Sequence, residues 1–423
     1  MTRDGGADSP LWSAAELDRW TEACRTDAQL ASLAVAADVA FAIQSADDSP
    51  YDRATFSLRE GGLVRPSGSA EFALVAKRAD WAKFFEAVPP PAYQNFFGML
   101  MRVPGAVIEG SELVWVQHVH IVRRVLEFGR EVLSGQPERT PGDTRRSKAG
   151  LRSGYVRVTV ADEPLDIFYE SAGQGRDVLL LHTAGADGRQ YHDLMADDAL
   201  TSRCRFTCFD LPGHGRSDLL PQALTGAYSL TTGLYATTIL AVIEELGLTS
   251  PIVSGSSMGG EICLEMAYRA PQVLGGVIAC EASDHVPGRK VSWAKHPLVN
   301  QSVFVPEWVY GLMAPQSPEP YRRKVRWGYS QGGFGTFAGD IDFYSGDWDG
   351  RDRVGDIDTA ACPVILMTGE YDYSCTPAMS EATARRIPGA VFWPMPELGH
   401  FPMAENPPLF AVHFRRALDH LGA

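Results

Sequence analysis

Residues 251–260 read Pro251-Ile252-Val253-Ser254-Gly255-Ser256-Ser257-Met258-Gly259-Gly260. A short apolar run with β-branched residues comes first, and a helical period follows over residues 260–269. Between them stands G-x-S-x-G, with Gly255 and Gly259 two residues either side of Ser257. Glycines there permit a turn too tight for side chains, which lifts the Ser257 hydroxyl clear of the backbone. The helix that follows offers unpaired N–H groups to developing negative charge. Strand, turn and helix together mark Ser257 as a candidate nucleophile, and Ser256 is out of register for that role.

Outward from this turn the chain alternates strand-like and helix-like stretches. Residues 155–160 and 165–171 suggest a leading antiparallel pair. Short apolar runs follow at 178–182, 205–210, 251–255, 276–280, 363–369 and 390–395, with helical periods between most of them, as at 230–246. Apolar runs of this length separated by helices predict a mostly parallel, doubly wound sheet covered on both faces. Ligands in such a sheet bind beyond the carboxyl ends of the strands, so the residues just after each run carry the chemistry.

A serine hydroxyl needs a base, and the base needs an orienting carboxylate. His400 follows the last apolar run in Glu397-Leu398-Gly399-His400-Phe401-Pro402, and Asp372 follows 363–369 in Gly369-Glu370-Tyr371-Asp372. The order Ser257, Asp372, His400 is the one expected on this sheet. Glu370, Glu281 and Asp284 are alternative carboxylates. A second oxyanion donor is expected from His182-Thr183-Ala184-Gly185, which points to the Ala184 N–H beside that of Met258. The loop Asp210-Leu211-Pro212-Gly213-His214-Gly215-Arg216-Ser217-Asp218 reads as a structural turn, because it has neither phosphate-loop nor dinucleotide spacing.

Composition narrows the classes. The chain has 423 residues, 45% hydrophobic and 21% charged, enough for more than one core and unlike a disordered chain. A net charge of −14 opposes binding to nucleic acid or an anionic membrane surface. Residues 1–150 hold 17 basic and 20 acidic side chains, a net of −3, and the remaining 21 and 32 give −11. The opening MTRDGGADSP lacks a signal core, and no stretch is apolar enough to span a bilayer. Seven cysteines without C-x-x-C spacing suit a reducing, cytoplasmic compartment and offer no zinc site. Neither cofactor nor metal is expected.

The stretch LLLHTAG, FDLPGHGRSD, GSSMGG, GEYDYSCTP and LGHFPMAENP, in that order, resembles the α/β-hydrolase superfamily over residues 154–423. The resemblance implies an α/β-hydrolase fold with an inserted cap, here at about 284–350 and rich in aromatic residues. It also implies Ser257, His400 and Asp372 as a triad working through an acyl-enzyme, without cofactor. Thr183 departs from the glycine many relatives carry. The expected substrate is an apolar, aromatic or multi-ring ester or lactone. The alternatives are carbon–carbon bond hydrolysis of a diketone-like ring-fission product and a non-catalytic lipid-binding role.

A Ser/Gly/Pro/Arg-rich linker at 135–153, with Arg145, Arg146 and Lys148, separates a smaller α+β domain at 1–134. There the pattern predicts a helix over 11–45, a hairpin turning at Gly61-Gly62, a strand over 72–78 and a helix over 79–88. A second hairpin is expected over 105–120, placing His118 and His120 on one strand face. The strand before the Trp81 helix and the segment IEGSELVWVQ resemble a sterol-carrier-protein-like fold, which implies an apolar tunnel. A homodimer through this domain is left open by the sequence.

Overall fold

The computed structural model describes residues 10–47, 52–65, 68–139, 142, 146–221, 223 and 228–423. The opening nine residues and Arg145 lie outside that set. The chain forms two compact units. One takes the chain up to Glu138 together with Pro297–Gly311, and the other takes Arg139–His296 and Leu312–Ala423.

The first unit is built on strands β1 (Val39–Ser45), β2 (Arg53–Arg59), β3 (Gly62–Val64), β4 (Phe72–Ala76) and β5 (Val107–Gly110), in the order β3-β2-β1-β4-β5. Its core is aromatic: Trp20 lies against Phe56 and Phe85, and Trp81 stacks on Phe96. The helix expected over 11–45 ends early. Helices Ala14–Arg25 and Ala28–Leu33 form, but VAFAI becomes β1, the central strand. Pairing with β2 on one edge and β4 on the other uses its backbone groups, its side chains are buried, and this outweighs the local helical spacing.

The second expected hairpin is also revised. After β5, Ser111 caps the helix Glu112–Ser134 by accepting from the Val114 N–H. IEGSELVWVQ is therefore a strand end and a helix start. His118 and His120 stand about 200° apart around that helix and share no face. The helix Gln301–Tyr310, which comes from the chain between later strands, belongs to this unit. Its Glu307 pairs with buried Arg123, which also meets Glu127 at 2.5 Å and lies over the Tyr310 ring.

The second unit holds strands β6 (Arg152–Val160), β7 (Glu163–Gly173), β8 (Arg176–Leu181), β9 (Cys204–Phe209), β10 (Ile252–Ser256), β11 (Gly276–Cys280), β12 (Val364–Gly369) and β13 (Val391–Met395). Their order is β13-β12-β11-β10-β8-β9-β7-β6. Strands from β13 to β9 run parallel, β7 is antiparallel to β9, and β6 is antiparallel to β7. Strands β10, β11 and β12 are buried along their whole length, which is why their sequence is apolar without alternation. Ala161 and Asp162, both at positive φ, turn the ribbon.

Between β11 and β12 this unit also carries the helices Glu319–Tyr329 and Thr336–Asp342. Most aromatic side chains of the expected cap pack inward: Tyr321, Tyr329, Phe343, Tyr344 and Trp348 are buried, whereas Trp327 and Phe334 are exposed. Phe304, Trp308 and Tyr310 fall in the first unit. All seven cysteines are free and buried. Among the described residues no helix is long and apolar enough to cross a membrane.

Candidate active site

Ser257 sits at the joint between β10 and the helix Met258–Arg269, with φ 58° and ψ −122°. That backbone is strained for a side-chain-bearing residue, by roughly 1–3 kcal/mol. The surrounding bonds hold it: the Ser257 N–H donates to the Cys280 carbonyl at 3.0 Å, and its own carbonyl accepts from Gly260 and Glu261. The bracketing glycines are required by close approach. A Cβ on Gly255 would lie 2.4 Å from the Gly259 backbone, and one on Gly259 would lie 2.6 Å from the Leu181 carbonyl oxygen.

His400 and Asp372 meet as the sequence predicts. Nδ1 of His400 lies 2.6 Å from Oδ2 of Asp372, and both residues are buried. Oδ1 of Asp372 accepts from the N–H groups of Ser374 and Cys375, which fixes the carboxylate. Asp372 thus engages Nδ1, and Nε2 is the other ring nitrogen of His400. The His400 main chain is held on two sides: its N–H donates to the Leu312 carbonyl, and its carbonyl accepts from the Ser256 hydroxyl at 3.1 Å. Ser256, out of register as a nucleophile, thus ties the histidine loop to the residue beside Ser257.

Three further buried carboxylic acids surround these groups. Glu281 accepts from the Gly369 N–H. Burial first, and the neighbouring Asp372 second, push its carboxyl well above the ordinary range. The sequence offered Glu281 as a substitute acid; the structure adds it to Asp372. Glu405 accepts from Gly399 N–H at 2.6 Å, Ala314 N–H at 3.2 Å and the Ser317 hydroxyl at 3.0 Å. Burial pushes it up to about 7 against these bonds. The sequence analysis missed it, although it lies in the same loop motif as His400. The third, Asp340, lies in the helix Thr336–Asp342 and bonds to the loop after β8. The other alternative acids stand elsewhere: Asp284 pairs with Arg386, and Glu370 accepts from the Glu397 N–H.

That loop carries Thr183, Ala184 and Gly185. Among the described residues the N–H groups of Ala184 and Met258 have no hydrogen-bond partner. The Thr183 hydroxyl contacts Tyr329 Oη at 2.5 Å and Gln190 Oε1 at 3.1 Å. The Gly185 N–H donates to Asp340 Oδ2 at 2.7 Å. The 210–218 loop is knitted internally, with the Asp210 carboxylate accepting from Gly188 and Arg216 N–H groups. Its His214 reaches Asp340 Oδ2 at 2.8 Å through Nε2 and the Pro212 carbonyl at 3.2 Å through Nδ1. Burial opposes a charge on His214, but Asp340 outweighs it and raises the imidazole.

A cavity of about 350 Å³ borders this loop, lined by Gly185, Ala186, His214, Arg216, Gly332 and Thr336 among others; Ser257 and His400 are not part of its wall. Glu281, Asp372 and His400 offer three atoms within 4.8 Å of one another, a spacing a metal would accept. The His400–Asp372 hydrogen bond joins two of the three groups.

Fold and site together define a strand-ordered sheet with a nucleophile elbow and a His–Asp pair at its carboxyl edge. Residues 178–412, more than half of the chain, match the alpha/beta hydrolase family, and the protein belongs to it. It is 30% identical over 139 residues to a 2-hydroxy-6-oxononadienedioate/2-hydroxy-6-oxononatrienedioate hydrolase of Paraburkholderia phymatum, covering 32% of this chain and 46% of that one. It is 32% identical over 119 residues to the pimeloyl-[acyl-carrier protein] methyl ester esterase of Aeromonas hydrophila, covering 28% and 42% respectively. The chain thus spans less than half the length of the curated relatives it matches. A thermophilic esterase from Thermogutta terrifontis shares the fold at TM-score 0.56 and 22% identity, covering 64% of this chain and 100% of that one. The enol-lactonase from Burkholderia xenovorans does so at TM-score 0.54 and 18% identity, covering 62% and 99%.

Proposed function

We propose that the protein is a serine hydrolase that cleaves a carbon–carbon bond in a small diketone-like ring-fission product. The single observation carrying hydrolysis is the His400–Asp372 bond of 2.6 Å beside the Ser257 elbow. The bond type is supported by relatives in several organisms named as hydrolases of 2-hydroxy-6-oxononadienedioate. A molecule of that name holds a ketone, an enol and two carboxylates but no ester, so water can split it only at a carbon–carbon bond.

In this reading His400 Nε2 takes the Ser257 proton as Oγ adds to the keto carbon. The Ala184 and Met258 N–H groups hold the oxyanion. With the 2-enol proton moved beforehand to C5, so that the substrate reacts as its 2,6-diketone tautomer, the C5–C6 bond breaks, its electron pair flows through the C3–C4 double bond to the C2 oxygen, and His400 returns the proton to that oxygen. Water, activated by His400, then releases the acid and restores Ser257. Asp372 keeps the imidazole in the productive tautomer and balances its charge.

The second reading is hydrolysis of an apolar ester or lactone by the same groups, supported by the methyl ester esterase of Aeromonas hydrophila. One experiment separates them. Purified protein is given a 2-hydroxy-6-oxo-dienoate with an apolar 6-substituent, an aryl ester and a lactone in parallel, with Ser257→Ala as control. The proposal expects decay of the dienolate absorbance at a kcat/KM at least tenfold above that for the other two, abolished in Ser257→Ala. Ester or lactone turnover with an unchanged dienoate would favour the second reading. Turnover undiminished in Ser257→Ala would remove both.

A further inference from the structure

Thr183 and Gly185 flank Ala184, and the loop they form needs a means of being held in shape. The structure supplies one from the two helices inserted between β11 and β12. Tyr329, at the end of Glu319–Tyr329, meets the Thr183 hydroxyl at 2.5 Å. Asp340, in Thr336–Asp342, accepts the Gly185 N–H at 2.7 Å. Ala184 lies between these two anchored residues. Asp340 is fully buried and both of its carboxylate oxygens accept hydrogen bonds. Oδ2 takes Gly185 and His214, and Oδ1 takes the Tyr228 hydroxyl at 2.7 Å. The Phe337 side chain packs so close to Gly185 that a Cβ there would come within 2.7 Å of it.

The direction of the Ala184 N–H depends on the peptide planes on either side. The Gly185 N–H belongs to the plane after Ala184, and the Thr183 side chain belongs to the residue before it. With both neighbours fixed, the Ala184 N–H has no hydrogen-bond partner among the described residues. Donors aimed in advance at a developing charge are what such a site requires.

We propose that Asp340 is a positioning residue for the oxyanion donor Ala184, so that the inserted helices complete the oxyanion hole instead of only covering it. This rests on the reading of Ser257 as nucleophile and Ala184 as donor. Asp340 touches no reacting atom; it acts through Gly185. Two consequences separate this role from plain structural support. Loss of the bond lowers the rate per active site and leaves substrate affinity alone. It also weakens a ligand that carries the transition-state charge.

The test uses the full-length protein and p-nitrophenyl acetate. A fluorophosphonate first titrates active sites in the wild type; failure to label Ser257 would overturn the underlying reading and is recorded separately from the outcome for Asp340. Asp340→Ala and Asp340→Asn are then compared by kcat per titrated site, KM and phenylboronic acid affinity. Removing an oxyanion donor outright costs about 10²–10³ in kcat. Misaiming one by Asp340→Ala is expected to cost roughly 10–100-fold, with KM within about twofold and boronate affinity falling in parallel. Asp340→Asn retains an acceptor for Gly185 and is expected to restore most of the rate. An unchanged kcat per site in Asp340→Ala, or a loss confined to KM, overturns the proposal. If Asp340→Ala does not fold, Tyr329→Phe removes one hydroxyl from the other anchor. A fall in both kcat and boronate affinity then supports the proposal, and no change in either overturns it.

Discussion

Glu405 gives the protein a pH-dependent weakness that a single substitution removes. Its carboxyl is fully buried, and burial pushes it up to about 7 from an ordinary 4.5. Between those values the folded chain keeps a proton that the unfolded chain releases, so the folded state binds more protons and stability falls as pH rises. The contribution is fully present below pH 4.5, declines toward pH 7 and is flat above it. At roughly 1.4 kcal/mol for each pH unit, the span amounts to about 3 kcal/mol. Glu405→Gln cannot titrate and keeps an oxygen for the Gly399, Ala314 and Ser317 donors. Whatever constant cost the amide brings cancels when the same two proteins are compared at two pH values. Urea unfolding of both at pH 5 and pH 8 measures the difference. The variant is expected to gain about 2–3 kcal/mol on the wild type between the two conditions. A difference between the proteins that stays the same at pH 5 and pH 8 refutes the reasoning.

Gly259→Ala places a methyl 2.6 Å from the Leu181 carbonyl, which cannot yield without moving β8. It is expected to cost about 1–3 kcal/mol in thermal or urea unfolding and to lower activity more than stability. Asp372→Asn removes the charge that orients His400 and should lower kcat on the order of 10⁴-fold, whereas Glu281→Gln replaces one neutral group by another and should stay within about tenfold. Equal losses in a steady-state assay would show that Glu281 carries the charge instead. Arg123→Met strands the buried Glu307 carboxylate and should cost roughly 3–5 kcal/mol, largely recovered by adding Glu307→Leu, as read by chemical denaturation.

The candidate catalytic constellation was legible because its parts are local. The elbow needs glycines at fixed offsets from Ser257, and Asp372 and His400 each follow a run apolar enough to be a buried strand. Chain order then assigns their roles. The parallel sheet was legible for the same reason: strands buried on both faces cannot hide their composition. Ambiguity began where two periods fit one stretch. VAFAI and VWVQHVH suit helix or strand by local spacing, and only the partners across the sheet, or the Ser111 cap, chose between them.

What the sequence by itself determined is the identity and order of the candidate catalytic groups, since those depend on residue type and short spacing. What only the tertiary structure decided is which distant groups hold them. Glu281 lies 91 residues before Asp372 and Asp340 lies 155 after Gly185, and neither separation has a period or motif to announce it. A buried carboxyl takes its proton or its charge from whatever the fold packs against it, and that neighbourhood exists only once the chain has closed on itself.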